Sequence, residues 1–272
     1  MTEYTPPPVY TRPSLKIGLV TVLFIAINVG LFIWEIFSGV DISNPQIADA
    51  IRWGADFAPL TYLYEPYRIF TSMFFHFGLI HLMMNMWALF VFGNTAEILF
   101  GRVFFFGMYL LAGLSGSLLS GYIDIYHSYE LLKNFDPSLL PRVGAGASGA
   151  VMGIGGALTA LSFFAPLPQQ RLILDKRSLI TIMAINLVFG IVATGINNAA
   201  HVGGMIMGAI LAIIWYLAAK KNAGTFIYIL ILIIGAAALY GIYLYLMAQV
   251  QPIAPVWQEI WMQMKNQLGI TH

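Results

Sequence analysis

The sequence contains no cysteine, and only 9% of its 272 residues are charged. Without cysteine, the chain has no disulfide framework, no thiolate metal site and no cysteine nucleophile. Soluble globular proteins carry about 25% charged residues, so the low charge content indicates that water is not the main solvent of this protein. The net charge of +1 predicts no nucleic-acid partner.

The apolar residues make up 59% of the chain and occur in long runs. Crossing a bilayer takes about 20 consecutive apolar residues in a helix, because backbone groups in lipid must be hydrogen-bonded within the segment. Seven runs approach this length and predict an all-α, polytopic membrane helix bundle with the lipid bilayer as its surroundings. The predicted spans are residues 17–37, 71–92, 103–123, 145–164, 179–194, 199–218 and 226–247.

The spans divide the chain into four parts. A polar, proline-rich start runs into a first apolar stretch that is too long for a signal core, which argues against a cleavable signal peptide. At the other end, tryptophan, methionine and leucine recur at helical spacing, which predicts a short amphipathic helix on the outer membrane surface, with a disordered tail as the alternative. The predicted parts are a cytoplasmic segment 1–16, a six-helix core 17–218, a linker and seventh span 219–248, and an outer tail 249–272.

The Lys and Arg residues predict the orientation. With a cytoplasmic N terminus, eight of them lie on the inner side and five on the outer side, which agrees with the excess of Lys and Arg in cytoplasmic loops. The second, fourth and sixth spans then begin at the outer face. The inner set is Arg12, Lys16, Arg102, Arg171, Lys176, Arg177, Lys220 and Lys221, and the outer set is Arg52, Arg68, Lys133, Arg142 and Lys265.

Unusual polar residues lie near the starts of these same three spans. His76, His81 and Asn85 belong to the second span, Ser148 to the fourth and His201 to the sixth. Polar side chains inside a membrane are costly and usually face the bundle interior or a wet cavity. Their shared depth predicts a functional site in the outer leaflet.

Small residues surround Ser148 in the segment Gly144–Gly149. They leave the serine hydroxyl open, and a helix that begins here directs free backbone N–H groups at an oxyanion formed beside it. Taken alone, the pattern fits a serine that only packs against a neighbouring helix equally well.

His201 precedes a pair of glycines, and small residues recur every four positions on both the fourth and the sixth span. Such stripes let two helix backbones approach closely, which would bring the serine hydroxyl and the imidazole within hydrogen-bond reach. A neutral imidazole can accept the serine proton and return it to the leaving amine. Without the serine, an interfacial histidine bonded to a loop is an equal alternative. The stripes are Gly149, Gly153 and Ala157, and Gly204, Gly208 and Ala212.

The remaining polar residues complete a dyad site. No intramembrane carboxylate is placed to orient His201, because Asp124 and Asp136 are assigned to the outer loop, so the pattern predicts a dyad rather than a triad. His81 and Asn85 are four residues apart and share a helix face, where both can donate hydrogen bonds to an oxyanion together with the Ser148 amide. A polar stripe that joins helices is the alternative. His76 lies off that face and is assigned to structure or site hydration.

An intramembrane zinc peptidase and a small-solute transporter are the rival function classes for this site. An intramembrane zinc peptidase needs His-Glu-x-x-His on one helix, and no Glu directly follows His76, His81 or His201, so no metal and no cofactor are predicted. A small-solute transporter would show inverted repeats or interrupted helices with charged midplane sites. The sequence shows neither pattern.

Three blocks of the sequence resemble the signature blocks of the rhomboid proteases, in the family order. They are RIFTSMFFHFGLIHLMMNMWALFVFGNTAEILFG (Arg68–Gly101), GAGASGAVMGIGGAL (Gly144–Leu158) and NNAAHVGGMIMGAIL (Asn197–Leu211). The resemblance implies a six-helix core, with an active site that opens to the extracytoplasmic side of a membrane, here expected to be a prokaryotic cell membrane. It implies transmembrane protein substrates, which are cleaved in or near the outer ends of their helices.

The resemblance also assigns residue roles. It implies Ser148 as nucleophile, His201 as base, and His81 and Asn85 as supports of an oxyanion hole with the Ser148 amide. It implies that Arg68, with Glu65 nearby, anchors the interfacial first loop. A rhomboid-like pseudoprotease that binds membrane proteins without cleaving them is the alternative function, and it is expected to lack an intact serine and histidine.

The chain departs from the family pattern in three places. Many members carry Tyr or Phe four residues after the serine, where the ring packs on the histidine, whereas this chain has the more flexible Met152. A seventh span follows the core and resembles the longer family architectures. The charged loop 122–142 has no predicted role.

Overall fold

The computed structural model describes residues 17–167, 174–192 and 196–270. The predicted segment 1–16 and the end of the predicted fifth span therefore lie outside the described residues. Within them the chain is helical, with one isolated β-bridge between Asp56 and Gly144. The helices are α1 (Leu19–Phe37), α2 (Ile47–Arg52), α3 (Ala58–Leu63), α4 (Arg68–Thr71), α5 (Leu79–Phe100), α6 (Arg102–Leu131), α7 (Ser148–Leu161), α8 (Lys176–Val192), α9 (Asn198–Lys220), α10 (Thr225–Val250) and α11 (Ala254–Leu268).

Several helices are suited to a membrane. In the described part of the chain, α1, α5, α6, α9 and the segment Thr225–Leu268 are long and apolar enough to cross a bilayer. The apolar α7 has 14 residues and α8 has 17, both shorter than the roughly 20 residues of a typical span. The all-helical, multi-pass membrane architecture follows from these helices, while the count of seven spans stays a prediction.

Small residues allow α6, α7 and α9 to pack as the centre of the bundle. A Cβ atom added at Gly153 of α7 would lie 2.9 Å from the carbonyl oxygen of Gly204 in α9, and one added at Gly116 of α6 would lie 2.6 Å from that of Ala200. These separations are too short for any side chain, so the helix backbones are in direct contact. The stripes of small residues therefore act as helix-packing surfaces.

The second apolar helix begins later than the predicted span 71–92. Residues 72–78 form a turn that buries His76, and α5 runs from Leu79 to Phe100. Gly78 adopts a φ of +91°, which excludes continuation of a right-handed helix through this residue. His76 is therefore in a turn before the helix rather than on another face of it.

The region after the predicted third span is also different from the prediction. Helix α6 continues to Leu131, so Asp124 lies on this helix and not in a loop. The buried face of α6 continues to the apolar Ile125 and to Ser128, which explains why the helix extends beyond the run of strictly apolar residues. Only the second part of the predicted loop 122–142 is non-helical, apart from the 3-10 turn Pro137–Leu139.

Candidate active site

The serine segment, residues 144–148, is held by main-chain hydrogen bonds. Asp56 and Gly144 exchange two of them, each 2.8 Å, and the Gly146 amide donates to the Ser72 carbonyl oxygen at 2.8 Å. Gly146 has a φ of +128°, and an added Cβ would lie 2.8 Å from Cε1 of His81, so only glycine fits here. This segment ends at Ser148, the first residue of α7.

His201 lies in the first turn of α9, which is fixed by an N-cap. The Asn197 side chain accepts from the Ala200 amide at 3.0 Å and donates to Ser120 Oγ at 2.6 Å. An Asn cap of this kind satisfies a backbone N–H that the helix leaves free. The His201 side chain is buried, and its Nδ1 has no hydrogen-bond partner within the described ranges.

Ser148 and His201 are adjacent to a contact between α7 and α9. A Cβ added at Gly149 would lie 3.4 Å from the carbonyl oxygen of Ala200. Gly149 follows the serine and Ala200 precedes the histidine, so both residues lie at the same level of the helix crossing. No hydrogen bond between the two side chains is present in the described structure, and hydrogen bonds of catalytic groups are often long before substrate binds.

His81 places a donor beside the serine segment. The Phe77 amide donates to His81 Nδ1 at 3.3 Å, which requires the proton of a neutral imidazole to be on Nε2. Nε2 lies 3.0 Å from the position of a Cβ added at Gly146, two residues before Ser148. Asn85 is buried one turn further along α5 and donates to the His81 carbonyl oxygen at 3.0 Å, which leaves its second amide hydrogen available.

His76 uses both ring nitrogens in structural contacts. Nδ1 lies 3.1 Å from the Phe74 carbonyl oxygen and must donate to it, while Nε2 accepts from the Ala147 amide at 3.5 Å. Its ring centroid is 5.2 Å from that of His81. His76 thus connects the turn before α5 to the start of α7, with no ring nitrogen free for proton transfer.

A cavity of about 30 Å³ adjoins Ser148. This volume is enough for about one or two water molecules. Two of the lining residues, Ser117 and Ser120, could have been found from the sequence. They are three residues apart on α6, and polar residues on one face of an apolar helix are a signal of a polar site. No sequence pattern indicated that Asp56 or Ser72 would line the cavity. The polar lining consists of Asp56, Ser72, Ser117, Ser120, Ser148 and Asn197.

Arg68 and Met152 both lie in the interior. The Arg68 guanidinium donates to the carbonyl oxygens of Ile51 and Ala55 at 2.7 and 2.9 Å, and it pairs with Glu65 at 2.6 Å. These contacts tie α4 to the first loop, which comprises residues 38–67 between α1 and α4. Met152 is buried one turn after Ser148 in α7.

Comparisons with known proteins identify the class. The family model described as the rhomboid domain matches residues 64–218. The rhomboid protease AarA of Providencia stuartii is 28% identical over 218 residues, which cover 77% of each chain. The rhomboid protease GluP of Bacillus subtilis (strain 168) is 31% identical over 69% of this chain and 33% of its own length. RHOMBOID-like protein 6, mitochondrial, of Arabidopsis thaliana is 32% identical over 55% of this chain and 44% of its own length.

The apolar helices and these matches define an integral, multi-pass membrane protein. The chain belongs to the rhomboid family, because the family model covers more than half of it. This family is one of intramembrane serine proteases that act on transmembrane substrates. The chain spans less than half of the length of GluP and of RHOMBOID-like protein 6.

Proposed function

We propose that the protein is an intramembrane serine endopeptidase in which Ser148 is the nucleophile and His201 is the base. The observation that carries this proposal is the backbone contact between α7 and α9 at Gly149 and Ala200. It supports a dyad because the two residues next to this contact are the serine and the histidine. The free Nδ1 of the buried His201 is consistent with a ring that is kept for proton transfer rather than used in the fold.

The proposed first step is attack of Ser148 Oγ on a substrate carbonyl carbon. The serine proton moves to neutral His201 as the carbonyl oxygen becomes an oxyanion. When this tetrahedral intermediate collapses to the acyl-enzyme, the C–N bond breaks and His201 gives the proton to the leaving amine. Three donors are proposed to stabilise it: His81 Nε2, the Asn85 side-chain amide and the Ser148 amide. The Ser148 amide is free because the first N–H groups of a helix have no intrahelical partner.

Hydrolysis of the acyl-enzyme needs water in an apolar bundle. The polar cavity beside Ser148 supports a local source, because its serine, asparagine and aspartate lining offers hydrogen bonds to one or two water molecules. In the proposed second step, His201 takes a proton from such a water as the water attacks the ester carbon. Ser148 then receives its proton back.

The proposed substrates are transmembrane helices with small or helix-breaking residues near the cleaved bond. A helical backbone hides its carbonyl groups in intrahelical hydrogen bonds, so a substrate must unwind before Ser148 can reach one. We propose that it enters laterally and unwinds near its extracytoplasmic end.

The proposal is tested by replacing the nucleophile. We expect purified wild-type protein in detergent to react with a fluorophosphonate probe and to cleave a transmembrane substrate, and Ser148→Ala to do neither, because loss of a serine nucleophile typically reduces turnover by several orders of magnitude. His201→Ala should fail in both assays too. Ser138→Ala, in the exposed loop, is the matched control and should behave as wild type. Equal reaction of wild type and Ser148→Ala would contradict the assignment and leave a binding protein without protease activity.

A further inference from the structure

The C-terminal helix α11 is docked on the protein. Trp257 is fully buried, and its Nε1 donates to Ser128 Oγ of α6 at 2.7 Å. Its ring centroid is 6.1 Å from that of Tyr62 in α3. Ile253, directly before the helix, is also fully buried. The role of α11 is therefore not limited to covering the membrane surface.

One turn later, Trp261 packs on the first loop. Its ring centroid is 6.1 Å from that of the fully buried Phe57. Trp261 and Phe57 form a small apolar cluster with Ile51 and Leu60, and Val143 packs against its edge. This cluster is separate from the main core, to which Trp257 belongs.

The Trp261 cluster lies next to the residues that hold the serine segment. Phe57 directly follows Asp56, and Val143 directly precedes Gly144. Asp56 and Gly144 are the two partners of the double hydrogen bond described above. The cluster that contains Trp261 therefore reaches both sides of this bridge, through Phe57 on one side and Val143 on the other, and the bridged segment reaches Ser148 four residues later.

We propose that Trp261 is a positioning residue for the active site, and that α11 holds the first loop and the serine segment together through it. This inference rests on the proposed function of Ser148. Misplacement of a reacting group by about 1 Å reduces catalysis by roughly 100-fold. Loss of the Trp261 ring would remove the packing on Phe57, next to Asp56, and loosen the bridge without opening the α6, α7 and α9 centre.

The test uses the full chain and a graded set of variants. We expect Trp261→Ala to slow fluorophosphonate labelling of Ser148 by ~10-fold or more, and to lower kcat for a transmembrane substrate with little change in KM. Trp261→Phe, which keeps a ring against Phe57, should recover most of the rate. Met262→Ala is the matched control, because Met262 is on the exposed side of the same helix.

Backbone hydrogen exchange supplies a readout that does not need activity. Trp261→Ala should increase exchange at the amides of Asp56, Gly144 and Gly146, whereas Met262→Ala should not. The thermal unfolding midpoint of each variant identifies the temperature at which all are folded, and rates are compared there. If Trp261→Ala is not folded at any temperature, the comparison is made with Trp261→Leu and Trp261→Phe.

Two failures can be distinguished. Absence of Ser148 labelling in the wild type contradicts the proposed protease function, and the exchange data then still decide whether Trp261 holds the bridge. The positioning role is overturned if folded Trp261→Ala is labelled at the wild-type rate. If the alanine variant does not fold, Trp261→Leu takes its place in this comparison. A rate lowered equally in Met262→Ala overturns the positioning role as well, since the effect would then belong to α11 as a whole.

Discussion

Asp56 is a buried carboxyl group beside the candidate active site, in the loop between α2 and α3. Burial raises the pKa of its carboxyl from the ordinary 3.8 to about 6, although the hydrogen bond from Thr61 and the positive charge of Arg68 lower it. Thr61 Oγ1 donates to Asp56 Oδ1 at 2.6 Å. The folded protein therefore binds a proton at this group more tightly than the unfolded chain does.

The raised pKa makes stability depend on pH. Below pH 3.8 the carboxyl is protonated in both states, and between 3.8 and about 6 only the folded state retains the proton, so stability falls as pH rises and is level above this window. The difference between the two pKa values corresponds to about 3 kcal/mol in the free energy of unfolding. Asp56→Asn keeps an acceptor for Thr61 but cannot ionise, so we expect it to lose this dependence and to be the more stable protein at pH 7. Thermal unfolding from pH 4 to 8 measures it.

The control for Asp56→Asn is Glu259→Gln on the exposed side of α11. It should retain the wild-type dependence on pH. The same slope in wild type and Asp56→Asn would show that this carboxyl does not titrate between 3.8 and about 6.

At the residue scale, the sequence located the candidate site through local motifs but not its supports. Small residues around Ser148 and the asparagines before His201 are local patterns, and the structure places both residues next to the α7–α9 contact. Asp56 and Ser72 contact the serine segment across long separations in the chain, with no periodic pattern of their own. Such contacts follow from tertiary packing, which local motifs do not encode.

At the element scale, the long apolar runs predicted the main helices, and the turns determined their true ends. The predicted start at residue 71 counted the apolar residues of the turn 72–78 as helix, because hydrophobicity alone does not distinguish a buried turn from a buried helix. The glycines at 78 and 101, both with positive φ, mark the actual limits of α5. The stripes on α7 and α9 were informative because spacing by four residues is itself a property of a helix face.

The contact between α7 and α9 predicts a strong effect at Gly204. A Cβ added there would overlap the carbonyl oxygen of Gly149, so the helices must separate. We expect Gly204→Ala to reduce the free energy of unfolding by about 1–3 kcal/mol, as overpacking of a core does. It should also slow labelling of Ser148, the neighbour of Gly149. Thermal unfolding and probe labelling in the same detergent measure both effects.

Gly241 of α10 offers a matched control for this substitution. An added Cβ meets no atom within 4 Å, and alanine within a helix is favoured over glycine by roughly 0.5–1 kcal/mol. Gly241→Ala should therefore be as stable as wild type or more so. If Gly204→Ala is equally stable, the backbones of α7 and α9 are not in contact.

At the scale of the whole molecule, hydrogen bonds and ring contacts define two ends of the bundle. At one end, Asn197 bonds to Ser120 and Trp257 bonds to Ser128. The serine segment and α11 belong to this end. At the other end, the start of α1 and the end of α5 meet, where the Gly18 amide donates to Asn94 Oδ1 at 2.7 Å. Thr21 donates to Glu97 there as well, through both its amide and its hydroxyl.

The two ends differ in the basic residues that identify a cytoplasmic side. Arg102 begins α6 beside Glu97 at 3.6 Å, and the ammonium group of Lys176 lies 4.1 Å from the centre of the Phe163 ring just after α7. Lys220 and Lys221 end α9 at this same end. Cytoplasmic loops are enriched in Lys and Arg, so we propose that this end is cytoplasmic and that Ser148 opens to the opposite side.

The absence of cysteine makes this orientation directly testable. A single cysteine replaces Asn134, in the exposed loop after α6, or Gly224, where an added side chain meets no atom within 4 Å. In intact cells, a maleimide that does not cross membranes should label Asn134→Cys and not Gly224→Cys. After the membrane is opened, both should be labelled, which controls for accessibility. Labelling of Gly224→Cys alone in intact cells would mean that the basic end faces outward and that the candidate active site opens to the cytoplasm.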